Sequence, residues 1–84
     1  TCVAPDTLFV HKRHVSALGD ALVREIREQF GENPKVGELA RLVNVDSTKR
    51  VIALIADAEK LGAKIQYGGS KFCDVDTKYV CPTL

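Results

Sequence analysis

Two apolar stripes spaced at alternating steps of three and four residues constrain this 84-residue chain more than any other feature. Val15, Leu18, Leu22, Ile26 and Phe30 fall on one face of a helix predicted from about His14 to Phe30, with Arg13, Asp20, Arg24, Arg27 and Glu28 largely on other faces. Gly19 lies inside this segment and costs about 1 kcal/mol against Ala, so packing must hold the helix. Gly31 suits a left-handed cap, and Pro34 follows as a stop. Val51, Leu54, Ile55, Ala58 and Leu61 form the second stripe. Asp46 or Ser47 is placed to cap its start by accepting from an orphan backbone N–H, and Gly62 ends it.

Short runs of β-forming residues flank the helices. Thr7 to Val10 is continuously apolar after its first residue, Ala63 to Tyr67 runs into Gly68-Gly69, and Lys78 to Cys81 precedes Pro82. Leu39 to Val43 is too short to decide between strand and helical turn. Strands alternating with helices predict an α/β fold of mostly parallel strands, with the two amphipathic helices as right-handed crossovers. In that arrangement Leu18, Leu22, Ile26 and Phe30 of one helix, and Val51, Ile55 and Ala58 of the other, face the sheet.

Two or three strands leave a parallel sheet with uncovered faces and edges. A chain this short buries only about 60–65% of its unfolded surface. The first residue is Thr and not Met. Together these features predict a piece of a larger domain that self-associates or aggregates when isolated.

Net charge is +1 with the signs interspersed, which gives no basic surface for nucleic acid or acidic lipid. No apolar run approaches the ~20 residues of a membrane span, and no secretory signal pattern is present. Cys2, Cys73 and Cys81 make an odd count without a CxxC pair, which argues against a disulfide framework or a structural zinc site and for a reducing compartment. A cytoplasmic location is the corresponding expectation. His11 and His14 share one side of a helix start without a carboxylate or cysteine at ligand spacing, so they read as solvated side chains and not as metal ligands.

Six collinear stretches resemble the aldehyde dehydrogenase superfamily, in particular its class 3 or fatty-aldehyde branch. Thr1-Cys2-Val3-Ala4-Pro5-Asp6 resembles that branch's signature around the nucleophilic cysteine, and Leu8-Phe9-Val10-His11 the strand after it. Phe30-Gly31-Glu32-Asn33-Pro34 is similar to the family's Y-G-E-[DN]-P. Arg41-Leu42-Val43-Asn44 is similar to its G-R-[IL]-[IV]-N, with Ala40 in place of the glycine. Lys64-Ile65-Gln66-Tyr67-Gly68-Gly69 resembles a K-[VI]-x-x-G-G strand and turn. Tyr79-Val80-Cys81-Pro82-Thr83-Leu84 resembles Y-[IV]-[AEQ]-P-T-[IVL], with Cys81 at a position usually Ala, Glu or Gln.

The resemblance implies that residues 1–84 are part of a three-layer catalytic domain, with the cofactor-binding domain, a general-base glutamate and an oxyanion-hole asparagine upstream. It also implies an aldehyde substrate, NAD or NADP as cofactor bound by absent parts, a homo-oligomeric parent, and Cys2 as the catalytic nucleophile. Oxidising an aldehyde requires a hydride to leave the carbonyl carbon, and thiolate addition makes that possible through a thiohemiacetal and then a thioester. From the residues alone, a cysteine in a proline-bearing loop is more often inert than reactive, so the role of Cys2 rests on the resemblance. Cys73 and Cys81 read as surface or packing residues. The alternatives are a non-catalytic α/β interaction module and a thiol-redox protein pairing Cys2 with Cys73 or Cys81. No Gly-rich strand-to-helix turn cradles a pyrophosphate, and Gly68-Gly69 opens no helix, so the isolated chain is expected to lack turnover.

Overall fold

The computed structural model describes residues 3–84. Two α-helices dominate it, α1 over Val15–Phe30 and α2 over Val45–Lys60, with 3₁₀ turns at Lys12–His14, Pro34–Val36 and Ser70–Phe72. Both helices follow the periodicity of their stripes. Leu18, Leu22, Ile26 and Phe30 of α1 are half-buried, as are Val51, Ile55 and Ala58 of α2, whereas Arg24 and Lys49 are exposed.

The ends of the helices show how the chain starts and stops them. α2 begins earlier than expected because Asn44, not Asp46 or Ser47, is its cap. Asn44 is extended (φ −152°, ψ 171°) and its side chain accepts from the Ser47 N–H at 2.7 Å. Thr48, fully buried at 0% exposure, donates its hydroxyl to the Asn44 carbonyl at 2.8 Å and fastens the same turn from inside. Asp46 instead lies in the first turn, where its charge complements the helix dipole. α1 ends at Gly31, whose φ of 79° and ψ of 178° place it in a region open to glycine and not in the left-handed helical one. Pro34, itself buried, then heads a 3₁₀ turn. Gly19 has a use that its helix cost concealed: a Cβ there would overlap the Gln66 carboxamide, which crosses the helix and donates to Asp20 at 3.2 Å.

The α/β expectation is overturned. Among the described residues there is no strand, and hence no parallel sheet for α1 and α2 to cross over. Thr7 to Val10 makes no backbone hydrogen bond among the described residues. The 63–67 segment makes three backbone hydrogen bonds with Leu84, from Gln66 and Tyr67 to its carbonyl and from its N–H to Tyr67. Lys78 to Cys81 contributes one antiparallel bridge, Asp74 with Tyr79, and Lys78 itself turns at φ 57°. The physical reason is that β propensity reports fit to a pleated neighbour and not an intrinsic backbone state. The 63–67 and 78–81 segments find only scattered backbone partners and Thr7 to Val10 none among the described residues, too few to propagate a ladder.

The core is correspondingly small. Tyr79 (2% exposed) and Cys81 (6%) are its buried hydrophobic residues, while Leu54 and Leu61 of the α2 stripe stand 59% and 81% exposed. The accessible surface is 6542 Å², against about 4,900 Å² for a compact monomer of this mass. The radius of gyration is 13.3 Å, against about 12 Å for a compact domain of this length.

The best-packed region is the C-terminal one. Gly68 and Gly69 take φ of 77° and 106° and press against Pro82-Thr83, with the Gly69 N–H donating to Thr83 Oγ1 at 3.2 Å. A Cβ on Gly68 would overlap the Pro82 carbonyl oxygen in a backbone region that side chains avoid. Gly68→Ala is therefore expected to destabilise the chain by about 1–3 kcal/mol, read as a shift in the urea midpoint at unchanged slope. A midpoint equal to that of the parent would show that this contact contributes nothing.

Candidate functional site

Cys2 lies outside the described residues, and its expected role as nucleophile is not a matter on which the structure bears. The arm that follows it is described. Val3 to Phe9 is exposed throughout, Phe9 completely at 100%, and Val10 is half-buried. The histidines after it are engaged locally. His11 Nδ1 accepts from the Arg13 N–H at 3.3 Å and caps the first 3₁₀ turn, while Arg13 Nε donates to His14 Nε2 at 3.2 Å. Their rings sit edge to face with centroids 6.1 Å apart. Among the described residues no three His, Cys, Asp or Glu side chains come together in a group that could hold a metal ion.

A cleft of about 950 Å³ opens between the loops that follow α1 and α2. Tyr79, Cys81 and Gly69 line its buried part, and Pro34, Glu59 and Phe72 its sides. Burial, and after it the neighbouring Cys81, push the Tyr79 phenol well above its ordinary range, so it stays neutral and is not a base. The Arg41 guanidinium lies 4.7 Å from the Tyr79 ring centroid and donates to the carbonyls of Leu39 (3.3 Å) and Lys35. Glu59 accepts from the Ser70 N–H at 2.9 Å and the Ser70 hydroxyl at 3.0 Å. Both carboxylate oxygens are thus engaged in joining α2 to the 3₁₀ turn.

Gly68-Gly69 opens only that one-turn 3₁₀ helix at Ser70–Phe72. Its first amides already have partners, Gly69 on Thr83 and Ser70 on Glu59. An anionic side chain of the protein itself occupies the place where a phosphate would bind, so these residues do not form a dinucleotide cradle.

Cys73 and Cys81, read from the sequence as surface or packing residues, are half-buried and buried. They are neighbours: the Cys81 N–H donates to Cys73 Sγ at 3.2 Å, and the Cys73 thiol donates to the Gly69 carbonyl at 3.5 Å. Burial pushes the Cys73 thiol up, which the Cys81 N–H partly opposes. The roles of Glu59, Arg41 and Tyr79 were not visible in the sequence, since each depends on a partner far along the chain. Arg41 and Tyr79 carried a signal only as the first residues of stretches quoted for their family resemblance.

Comparison with known proteins gives collinear matches along the whole chain. It is 38% identical over 84 residues to aldehyde dehydrogenase family 3 member F1 of Arabidopsis thaliana, covering 99% of this chain and 17% of that protein. It is 35% identical over 85 residues to 4,4'-diaponeurosporen-aldehyde dehydrogenase of Staphylococcus aureus, covering 100% of this chain and 17% of that protein. It is 32% identical over 85 residues to the dimeric NADP-preferring aldehyde dehydrogenase of Bos taurus, covering 100% of this chain and 33% of the relative. The chain thus spans between 17% and 33% of the length of these relatives. No protein-family model matches the chain. No solved structure matches it either.

An ion pair beside the cleft sets a testable acid response. Lys35 Nζ meets Asp74 at 2.8 Å, and Thr77 and the Asp76 N–H also donate to that carboxylate. Lys35 first and Thr77 second hold the Asp74 pKa down, from 3.8 to about 2. A depressed folded-state pKa adds stability that is fully present above 3.8 and is lost as pH falls toward about 2. Carboxyl chemical shifts should show Asp74 titrating near the lower value, and Lys35→Ala should return it toward the upper one. A midpoint unmoved by Lys35→Ala would refute the pairing.

Proposed function

We propose, on the premise that this chain belongs to the aldehyde dehydrogenase superfamily and resembles its class 3 members, that residues 1–84 form part of the catalytic domain of an enzyme oxidising aldehydes to carboxylic acids. The observation that carries this is homology along the whole chain to aldehyde dehydrogenases, at 32–38% identity for the three relatives above. The cofactor-binding domain is assigned to other parts of the polypeptide. In this reading Cys2 is the nucleophile. Its thiolate adds to the aldehyde carbon, forming a carbon–sulfur bond and a thiohemiacetal oxyanion. The backbone N–H of Cys2 is suited to stabilise that oxyanion, a contribution typically of about 3–4 kcal/mol per donor. NAD(P)+ supplies the hydride acceptor for the oxidation. The Cys2 thioester is then hydrolysed by a water that a carboxylate activates, which frees the thiol.

The cleft by Tyr79 takes no chemical part in this reading. Its phenol is neutral, Glu59 is engaged, and its amides are taken, so its groups serve packing. Self-association of the parent belongs to the same proposal. It is supported by the 6542 Å² of exposed surface and by the bovine relative, whose name describes a dimeric NADP-preferring enzyme.

In the polypeptide completed with its flanking sequence, Cys2→Ala should lower aldehyde-dependent NAD(P)H formation by on the order of 10⁴-fold or more. The 84-residue chain alone should show no turnover. It should still be alkylated slowly at Cys2, since a thiol of ordinary pKa is a few per cent thiolate at neutral pH. Undiminished activity in the Cys2→Ala enzyme would remove Cys2 from the mechanism. Cys2-dependent turnover by the chain alone would show that it holds a complete site.

A further inference from the structure

Cys73 and Cys81 flank the Asp74–Tyr79 bridge, whose two backbone hydrogen bonds of 2.9 and 2.8 Å hold the two sides of the turn together. Both cysteines are free thiols. The Cys81 nitrogen lies 3.2 Å from the Cys73 sulfur. The Cys81 Cβ is two bonds beyond that nitrogen, which puts the two side chains within reach of each other. Their exposures differ in a way that orders the chemistry. Cys73 is half-buried and open to a small reagent, whereas Cys81 is only 6% exposed.

We propose that Cys73 and Cys81 are a redox modification site that closes to an intramolecular disulfide by exchange with a small oxidised thiol of the glutathione type. The Cys73 thiol loses its proton to solvent, and its sulfur attacks one sulfur of the small disulfide. A Cys73 mixed disulfide forms and one small thiolate leaves. Cys81 then loses its proton and attacks Cys73 Sγ, the mixed bond breaks, and the second small thiol leaves. Two protein thiols are oxidised to one disulfide, and one small disulfide is reduced to two thiols. The Cys81 N–H that donates to Cys73 Sγ stabilises the first thiolate, while burial raises the thiol's pKa and makes exchange slow. Closure costs the Cys73 hydrogen bond to Gly69 and fixes Cys81 where it lines the cleft. The proposal is independent of any role for Cys2.

The test uses the 84-residue chain carrying Cys2→Ser, equilibrated in graded mixtures of reduced and oxidised glutathione, with and without guanidinium. Acid-quenched intact mass reports loss of two hydrogens, and a non-reducing peptide map locates the bond. Eight residues of separation favour some closure even in an unfolded chain, so the folded-to-unfolded ratio is the deciding quantity. The folded chain is expected to close the pair in mixtures about tenfold more reducing than the unfolded chain requires. A second sample with Cys2 intact should map to the same Cys73–Cys81 bond. Equal closure in the two states would overturn the proposal, as would a lasting glutathione adduct on Cys73 with Cys81 free, or a dominant bond to Cys2.

Discussion

Burial of Tyr79 beneath Arg41 organises the chain between its two helices and its last residues. The ring belongs to the antiparallel bridge with Asp74, which folds the 74–79 turn back on itself. Arg41 covers it at 4.7 Å, an arrangement worth roughly 1–2 kcal/mol when shielded from water. The same guanidinium reaches back to the carbonyls of Leu39 and Lys35, so the stretch between α1 and α2 is drawn over the ring. The Leu42 N–H donates to the Lys78 carbonyl at 3.0 Å and repeats the connection through the backbone. Lys35 closes it a third time through Asp74. Removing the ring would release all three connections together, because each draws its geometry from the other two.

α2 is joined to this region by hydrogen bonds more than by apolar packing. Glu59, near its C-terminal end, holds the Ser70 turn through two hydrogen bonds, and that turn follows the Gly68-Gly69 pair pressed onto Pro82-Thr83. Charge-assisted bonds of this kind position elements, yet they contribute less stability than a filled core. The apolar stripes show the shortfall. Their inner residues reach only half-burial, and α1 and α2 share no extensive contact among the described residues. Both helices keep their period and Asn44 caps α2, although the start of α1 has no side-chain cap, while burial, the usual source of helix stability in proteins, is only begun.

How legible each part was in the sequence follows from how far away its cause lies. The helices were legible because stripe, cap and stop residues act within a few positions, and Leu22, Ile55, Arg24 and Lys49 all fall on the faces their spacing predicted. The start of α2 was misplaced by its cap. Asn44 reads as the end of an apolar stretch until its extended backbone and its bond to Ser47 are seen. The strands were misread because apolar β-formers reveal a preference and not a partner. Past the helix end, where the Ala63 N–H bonds the Ala58 carbonyl, the 63–67 backbone reaches Leu84, and Thr7 to Val10 has no backbone partner among the described residues. The bond of Gln66 to Asp20, made across Gly19, spans 46 residues and left no local trace beyond an unexplained glycine in a helix. Of the candidate site, the Cys2 motif begins outside the described residues, and the cleft was not readable, since its Tyr79, Glu59 and Cys81 meet only in three dimensions.

The arm carrying the Cys2 motif shows what a nucleophile in this position would require. A reacting sulfur and its oxyanion donor must be held to within about 0.5 Å, normally by side chains whose rotamers are locked by packing. Residues 3–9 are exposed along their whole length, and the apolar side chains of Val3, Leu8 and Phe9 are 86%, 53% and 100% exposed. The first anchors to the folded part are the half-buried Val10 and the His11 cap. In the reading proposed above, attack on an aldehyde would require the arm to be packed, and the exposed Leu8 and Phe9 are the side chains that such packing would cover.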